Sequence, residues 1–189
     1  MKRLLGLSWL FLASLPAFGA DTLVIDPSHT AVIFSWSHRG FSHPVARLEK
    51  VEGSVILDRT DPAKSSVSVT MPLEGLRTGD DFLDKRLKTA EFLDLAKYPA
   101  LTFKSTRVKR LGGTKFKLYG DLAVHGVTMP VVLDARINRI RTDPAAKSTS
   151  AGFEADVVLR RSDFGVSKYV PTVGDELTVH ITLEANEAE

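Results

Sequence analysis

The segment Val32-Ile33-Phe34-Ser35-Trp36-Ser37 decides the fold. Its large apolar side chains stand two apart at Val32, Phe34 and Trp36, with Ser35 and Ser37 between them. Successive residues of an extended chain point to opposite faces, so this spacing predicts a strand with one buried side. The same period recurs outward from it. Val67, Val69 and Met71 alternate with Ser66, Ser68 and Thr70, and Phe116, Leu118, Leu122 and Val124 with Lys115, Lys117, Tyr119 and Asp121. Further on, Val131, Leu133, Ala135 and Ile137 oppose Asp134, Arg136 and Asn138, while Phe153, Val157 and Leu159 oppose Glu154, Asp156 and Arg160. Val179, Ile181 and Leu183 close the series against Thr178, His180 and Thr182. With starts near Leu23, Val51 and Leu101, the pattern predicts about eight or nine strands.

The intervals carry turn chemistry. Gly112-Gly113 reads as a tight hairpin, and Asp61-Pro62 and Asp143-Pro144 mark turns through the fixed proline φ and the Asp side chain. Gly126 separates the strand ending at His125 from the one starting at Val127. The small, polar stretch from Thr142 to Ser150 is expected to be a mobile surface loop. One region breaks the alternation. Between Gly79 and Tyr98 the residues Phe82, Leu83, Leu87, Phe92, Leu93 and Leu95 fall near helical spacing, with Asp80 and Asp81 suited to a helix start. Thr89 is expected to cap a second short helix, and Tyr98-Pro99 to end it. The fold class is therefore all-β, a long antiparallel run with one short helical insertion. Such strands close into a barrel or stack as a sandwich. Periodicity demonstrates an apolar face, not a cavity.

Residues 1–19 read as a cleaved secretory signal peptide. Lys2 and Arg3 precede an apolar run from Leu4 to Phe18, and Ala17 and Gly19 supply the small side chains expected before a cut after Gly19. The run is shorter than the roughly 20 residues a spanning helix needs, so no stable membrane insertion is expected. No Cys exists to acylate or to form disulfides, so stability must come from core burial. Residues 20–189 then form a single domain with no linker or repeat. Two of the 25 basic residues lie in the removed segment, leaving 23 against 23 acidic ones. That balance offers no support for nucleic-acid binding.

Catalytic patterns are missing from the sequence. His29, His38, His43, His125 and His180 include no His-x-His pair of the kind strands use to hold metal, so no metal site is expected. Ser28 and Ser162 lie beside turn residues outside any Gly-x-Ser-x-Gly or Ser-x-x-Lys context. Asp80, Asp81 and Asp84 are accounted for by a helix N-terminus. The aromatic set Phe34, Trp36, Phe41, Phe82, Phe92, Phe103, Phe116 and Phe153 suits a packed core or a ligand chamber equally.

Four segments resemble the YceI-like family of exported lipid-binding proteins. They are Leu23-Val24-Ile25-Asp26-Pro27-Ser28-His29-Thr30, running on to His38; Asp84 to Asp94 with Tyr98-Pro99 and Thr102-Phe103-Lys104-Ser105; Gly120 to Val131; and Arg161-Ser162-Asp163-Phe164-Gly165-Val166 with Val173-Gly174-Asp175-Glu176-Leu177. The resemblance implies a lipocalin-like, extended antiparallel β-barrel of about eight strands. It also implies a periplasmic location and a long interior cavity for a polyisoprenoid, quinone or fatty-acyl amphiphile, with no other cofactor. The second segment departs from the family pattern Arg-Asp-x-His-Leu, reading Leu83-Asp84-Lys85-Arg86-Leu87 here. An arginine in place of that histidine either favours an acidic headgroup or forms a salt bridge with Asp84 or Glu91, and the salt bridge is the expectation.

On strand phase, Phe34, Trp36, Phe92, Phe103, Leu118, Leu122, Val124 and Phe153 are expected to line the cavity. His38, Arg86 and His125 are expected at its polar mouth. The resulting expectation is a carrier or storage protein that catalyses nothing. A filled structural barrel with a protein partner, and an enzyme acting on a lipid or quinone, are the alternatives. Exposed strand edges and cavity mouths would let two copies pair as a homodimer, though no segment specifies one.

Overall fold

The computed structural model describes residues 19–145 and 148–187. The signal-peptide reading of residues 1–18, and positions 146–147 of the expected loop, lie outside the described residues. In chain order the strands are β1 (Asp21–Ile25), β2 (Ala31–His38), β3 (Val45–Leu48), β4 (Glu52–Leu57), β5 (Ser66–Pro72), β6 (Leu76–Arg77), β7 (Ala100–Gly112), β8 (Lys115–Val124), β9 (Val127–Asp143), β10 (Ser148–Arg160) and β11 (Val173–Glu187). Helix α1 (Asp81–Leu87) stands between β6 and β7.

These segments form eight paths around a closed antiparallel barrel, because three of the paths are broken in the middle. β1 and β2 both pair with β11, β1 near Ala185 and β2 from Thr182 to Val173. Between them Pro27 has no N–H to offer a ladder, and Asp26 Oδ1 accepts from Ser28 N at 2.8 Å, turning the chain out of line. β3 and β4 form the next path, β5 and β6 the third. The second and third breaks lie side by side: Glu49 N donates to the Gly75 carbonyl at 3.0 Å, and a side chain at Gly75 would strike the Glu49 carbonyl.

Beyond these breaks the ring is no longer continuous. β5 pairs with β7, whereas among the described residues β6 pairs only with β3. Helix α1 and the turns from 88 to 99 occupy the interval. Asp80 caps α1, its side chain accepting from Leu83 N at 3.0 Å. The expected second helix is absent among the described residues. Thr89 turns its hydroxyl back onto the Arg86 carbonyl at 2.8 Å, and successive tight turns carry the chain to Tyr98. The expected loop from Thr142 to Ser150 is also shorter than its composition suggests. Asp143 pairs with Ser148, Thr142 with the buried Thr149 and Arg141 with Ser150, so much of it is paired strand at the ends of β9 and β10.

One half of the barrel is filled. Leu23, Val55, Leu57, Ala151 and Ala185 are buried there, and Phe153 lies opposite Leu183 across the β10–β11 ladder. Phe116, Leu118, Ala135 and Ile137 lie on the inner-face series of β8 and β9 at this end.

Candidate functional site: an apolar cavity with a basic mouth

The other half is hollow. A cavity of about 740 Å³ opens at the end where β2 meets β3, where α1 sits, and where the chain turns from β10 to β11. Its walls are the mouthward parts of the same strands: Val32, Phe34 and Trp36 on β2, Leu101 and Phe103 on β7, Leu122 and Val124 on β8, and Val157 and Leu159 on β10. β11 contributes Leu177, Val179, Ile181 and Leu183, while α1 and the turns after it add Phe82, Leu83, Leu87, Phe92 and Leu93. The hollow depends on shape as well as polarity. Gly120 on β8 faces inward, and Phe103 lies across it so closely that a Cβ there would sit 2.4 Å from the ring. The ring of Phe103 thus takes the space that a side chain at position 120 would fill.

Polar groups gather at the mouth. His38 and Arg39 lie where β2 turns toward β3, and the His38 N–H donates to the Ser42 carbonyl at 2.8 Å. Arg86 on α1 donates from Nη2 to the Tyr169 hydroxyl at 2.7 Å. Its guanidinium lies 5.9 Å from the Phe92 ring centre and 5.5 Å from that of Tyr169. The expected salt bridge to Asp84 or Glu91 is not formed. Asp84 is buried and accepts from Thr78 N and Oγ1, each at 2.6 Å, whereas Glu91 pairs with Lys168 at 3.2 Å. Burial opposes ionisation of Asp84, but the Thr78 bonds, with Lys88 and Arg77 nearby, hold its carboxyl below the usual range.

The segment from β10 to β11 is fastened by Arg161. Its guanidinium donates to the carbonyls of Gly174, Val166, Lys168 and Val173 at 2.8–2.9 Å. Partial burial lowers its pKa while Asp175 opposes the shift, and an arginine remains charged at neutral pH. Asp175 accepts from Ser162 N and Oγ at 2.9 and 2.7 Å, so Ser162 serves the turn. The serine hydroxyl and the Asp84 carboxyl both have structural partners.

Phe34, Trp36, His38, Arg86, Phe92, Phe103, Leu122 and Val124 come together around this cavity. Leu118 and Phe153 face inward but pack against the core beside the cavity floor. His125 is not in the lining either. With φ 51° it forms the β8–β9 turn beside Gly126, and its ring meets Tyr98 edge-on at 5.0 Å. Gly126, at φ 77°, allows Tyr98 to approach where a Cβ would lie 2.5 Å from the ring. Arg39, Arg161, Lys168 and Tyr169 are lining residues not expected from strand phase, because they sit on turns, where alternation carries no signal.

Asp26, His29 and Glu184 form a separate cluster with donor atoms within 4.8 Å of one another. His29 Nδ1 lies 2.8 Å from Asp26 Oδ2. That hydrogen bond raises the His29 pKa and lowers that of Asp26.

The arrangement defines a class: an antiparallel barrel, filled at one end, with an apolar chamber open at the other. The chain belongs to the YceI-like domain family, whose pattern matches residues 23–185. It is 34% identical over 186 residues to a UPF0312 protein of Enterobacter sp. (strain 638), covering 97% of this chain and 96% of that one. BcnA of Burkholderia cenocepacia has the same fold, with a TM-score of 0.77 at 20% identity over 85% of this chain and 98% of that one. A polyisoprenoid-binding domain from Saccharophagus degradans is also similar, with a TM-score of 0.68 at 13% identity over 89% of this chain and 99% of that one. Among the described residues no helix is long and apolar enough to cross a membrane.

Proposed function

We propose that the protein is a periplasmic carrier or store for a long apolar amphiphile, a polyisoprenoid, quinone or fatty-acyl chain, held in the barrel. The observation that carries this reading is the apolar cavity of about 740 Å³, with its charged lining groups at the mouth. Its volume lies within the range of roughly 300–1,000 Å³ common to small-molecule sites. Each CH₂ taken from water contributes roughly 0.8 kcal/mol, so a long tail binds such a chamber without a charged partner. A polar head costs free energy to desolvate and therefore stays among His38, Arg39 and Arg86. Phe34, Trp36, Phe92, Phe103, Leu122 and Val124 contact the tail. The described kinship to a polyisoprenoid-binding domain supports the choice of ligand class. The basic, apolar, small-residue order of residues 1–19 supports export and cleavage.

Native mass spectrometry of freshly purified protein, before and after organic extraction, tests the reading. A lipid-sized mass that leaves on extraction and rebinds on titration is expected. A protein that carries no such mass and takes up no long-chain lipid refutes it. Leu122→Trp places an indole in the chamber and should weaken rebinding by roughly tenfold or more while the barrel still folds. The amino terminus of protein recovered from the periplasm should be Ala20.

A further inference from the structure

We infer that the mouth selects chains ending in an anionic group, a phosphate monoester or a carboxylate, through Arg86 assisted by Arg39; this rests on the ligand-holding reading above. Among the described residues the charged groups lining the cavity are Arg39, Arg86, Arg161 and Lys168, beside His38, and no Asp or Glu joins them. A chamber for a neutral amphiphile has no need of such one-sided charge.

The four cations differ in what already satisfies them. Lys168 is neutralised by Glu91, and Arg161 is consumed by four carbonyls of its own loop. Arg86 and Arg39 have no carboxylate partner among the described residues. Of the acids close to Arg86 in sequence, Asp84 accepts from Thr78, Asp80 caps the Leu83 N–H, Glu91 pairs with Lys168, and Asp81 forms no ion pair with it. Arg86 is also held in place. Phe92 and Tyr169, with ring centres 6.3 Å apart, lie together against one side of the guanidinium, and the Tyr169 hydroxyl takes one of its N–H groups. A guanidinium carries five N–H donors in a rigid fork, so most remain for a planar or tetrahedral oxyanion. A preoriented cation at the edge of an apolar chamber gains far more from an anion than one in open water, because solvent screens it less. The tail and the head are thus recognised by separate parts of one site.

The test uses the mature chain and four probes of equal tail length, dodecyl phosphate, dodecanoate, 1-dodecanol and dodecyltrimethylammonium, with inorganic phosphate as a fifth. Each competes against an apolar fluorescent dye in the cavity. The phosphate and carboxylate probes should bind roughly tenfold tighter than the alcohol, and the preference should shrink as salt is raised to about 0.5 M. R86Q should reduce that preference about fivefold, the phosphate and carboxylate probes losing more than the alcohol; R86K should restore part of it, and R39Q should lower it less. Inorganic phosphate alone should leave the dye in place. Equal affinity for alcohol and phosphate, tighter binding of the ammonium, an equal loss for every probe in R86Q, or dye release by inorganic phosphate would each overturn the inference. Those outcomes leave the ligand-holding reading intact. Failure of every chain to bind, the alcohol included, would overturn both.

Discussion

The two halves of this barrel are built from the same strands and differ in what their inner faces meet. Around Leu23, Val55, Ala151 and Ala185, on the neighbouring strands β1, β4, β10 and β11, the inward side chains are buried in the core. Around Trp36, Leu122, Leu159 and Leu177 the walls carry equally apolar residues that meet space. The filled half is sealed by continuous ladders, including β1 between β11 and β4. At the hollow half, the place of a ladder between β6 and β7 is taken by α1 and the turns after it, fixed by Asp84 and the ring of Tyr98, while Arg161 fastens the segment from β10 to β11. Apolar packing stabilises one half; polar latches shape the other.

The largest test of this contrast is a pair of truncations. Leu23, fully buried in the filled half, should lose about 3 kcal/mol on change to Ala. Leu159, whose side chain borders the cavity, should lose about 1 kcal/mol or less, because fewer atoms contact it there. Urea unfolding of both variants measures the difference. Equal losses would mean the chamber walls are packed as tightly as the core.

A smaller effect is expected at the latch. Asp84→Ala should cost about 2 kcal/mol by leaving the Thr78 N–H without its partner, and Asp84→Asn less. Because the folded pKa of Asp84 is depressed, its contribution is present above the ordinary carboxylate pKa and is lost as pH falls through the folded value. Amide exchange should quicken in residues 78–99 and not around Leu23. A uniform increase throughout the barrel would show that the latch serves the whole fold.

The smallest effect concerns the exposed Asp26–His29 pair. The raised His29 pKa means its support is full below the ordinary imidazole value and fades as pH climbs through the folded one. For Asp26, with its pKa lowered, the support fades as pH drops through the folded value. His29→Gln should therefore remove a small decline in Tm, on the order of a degree, between about pH 6 and pH 8. Persistence of the decline in the variant would assign it to another group.

Strand alternation made the fold legible, since a period of two identifies the inward face and turn residues mark the ends. It also brought Phe34, Trp36, Phe103, Leu122 and Val124 onto one surface. It says nothing about height along the barrel axis. Leu118 and Phe153 share the inward face with Leu122 and Val157 yet stand a level lower, where the barrel is filled. Turn geometry was least accessible. Arg86 has acids close in sequence, but its partner Tyr169 is 83 residues away, brought near by a loop that Arg161 holds. Helical spacing in Leu87 to Leu95 misled for a related reason: Leu87 at the end of α1 and Phe92 and Leu93 in the tight turns after it all reach the cavity, and a chain that winds around an opening repeats its inward contacts much as a helix does.

The missing ladder between β6 and β7 has a mechanical consequence. Where a ring of strands is hydrogen-bonded all the way round, its girth is fixed by strand number and register, and widening it means breaking backbone bonds. At the mouth α1 and its following turns stand in place of that ladder, tied to the segment between β10 and β11 by side-chain contacts such as Arg86 to Tyr169 and Glu91 to Lys168. The barrel is a sleeve with a slit cuff, stiff in circumference at one end and adjustable at the other.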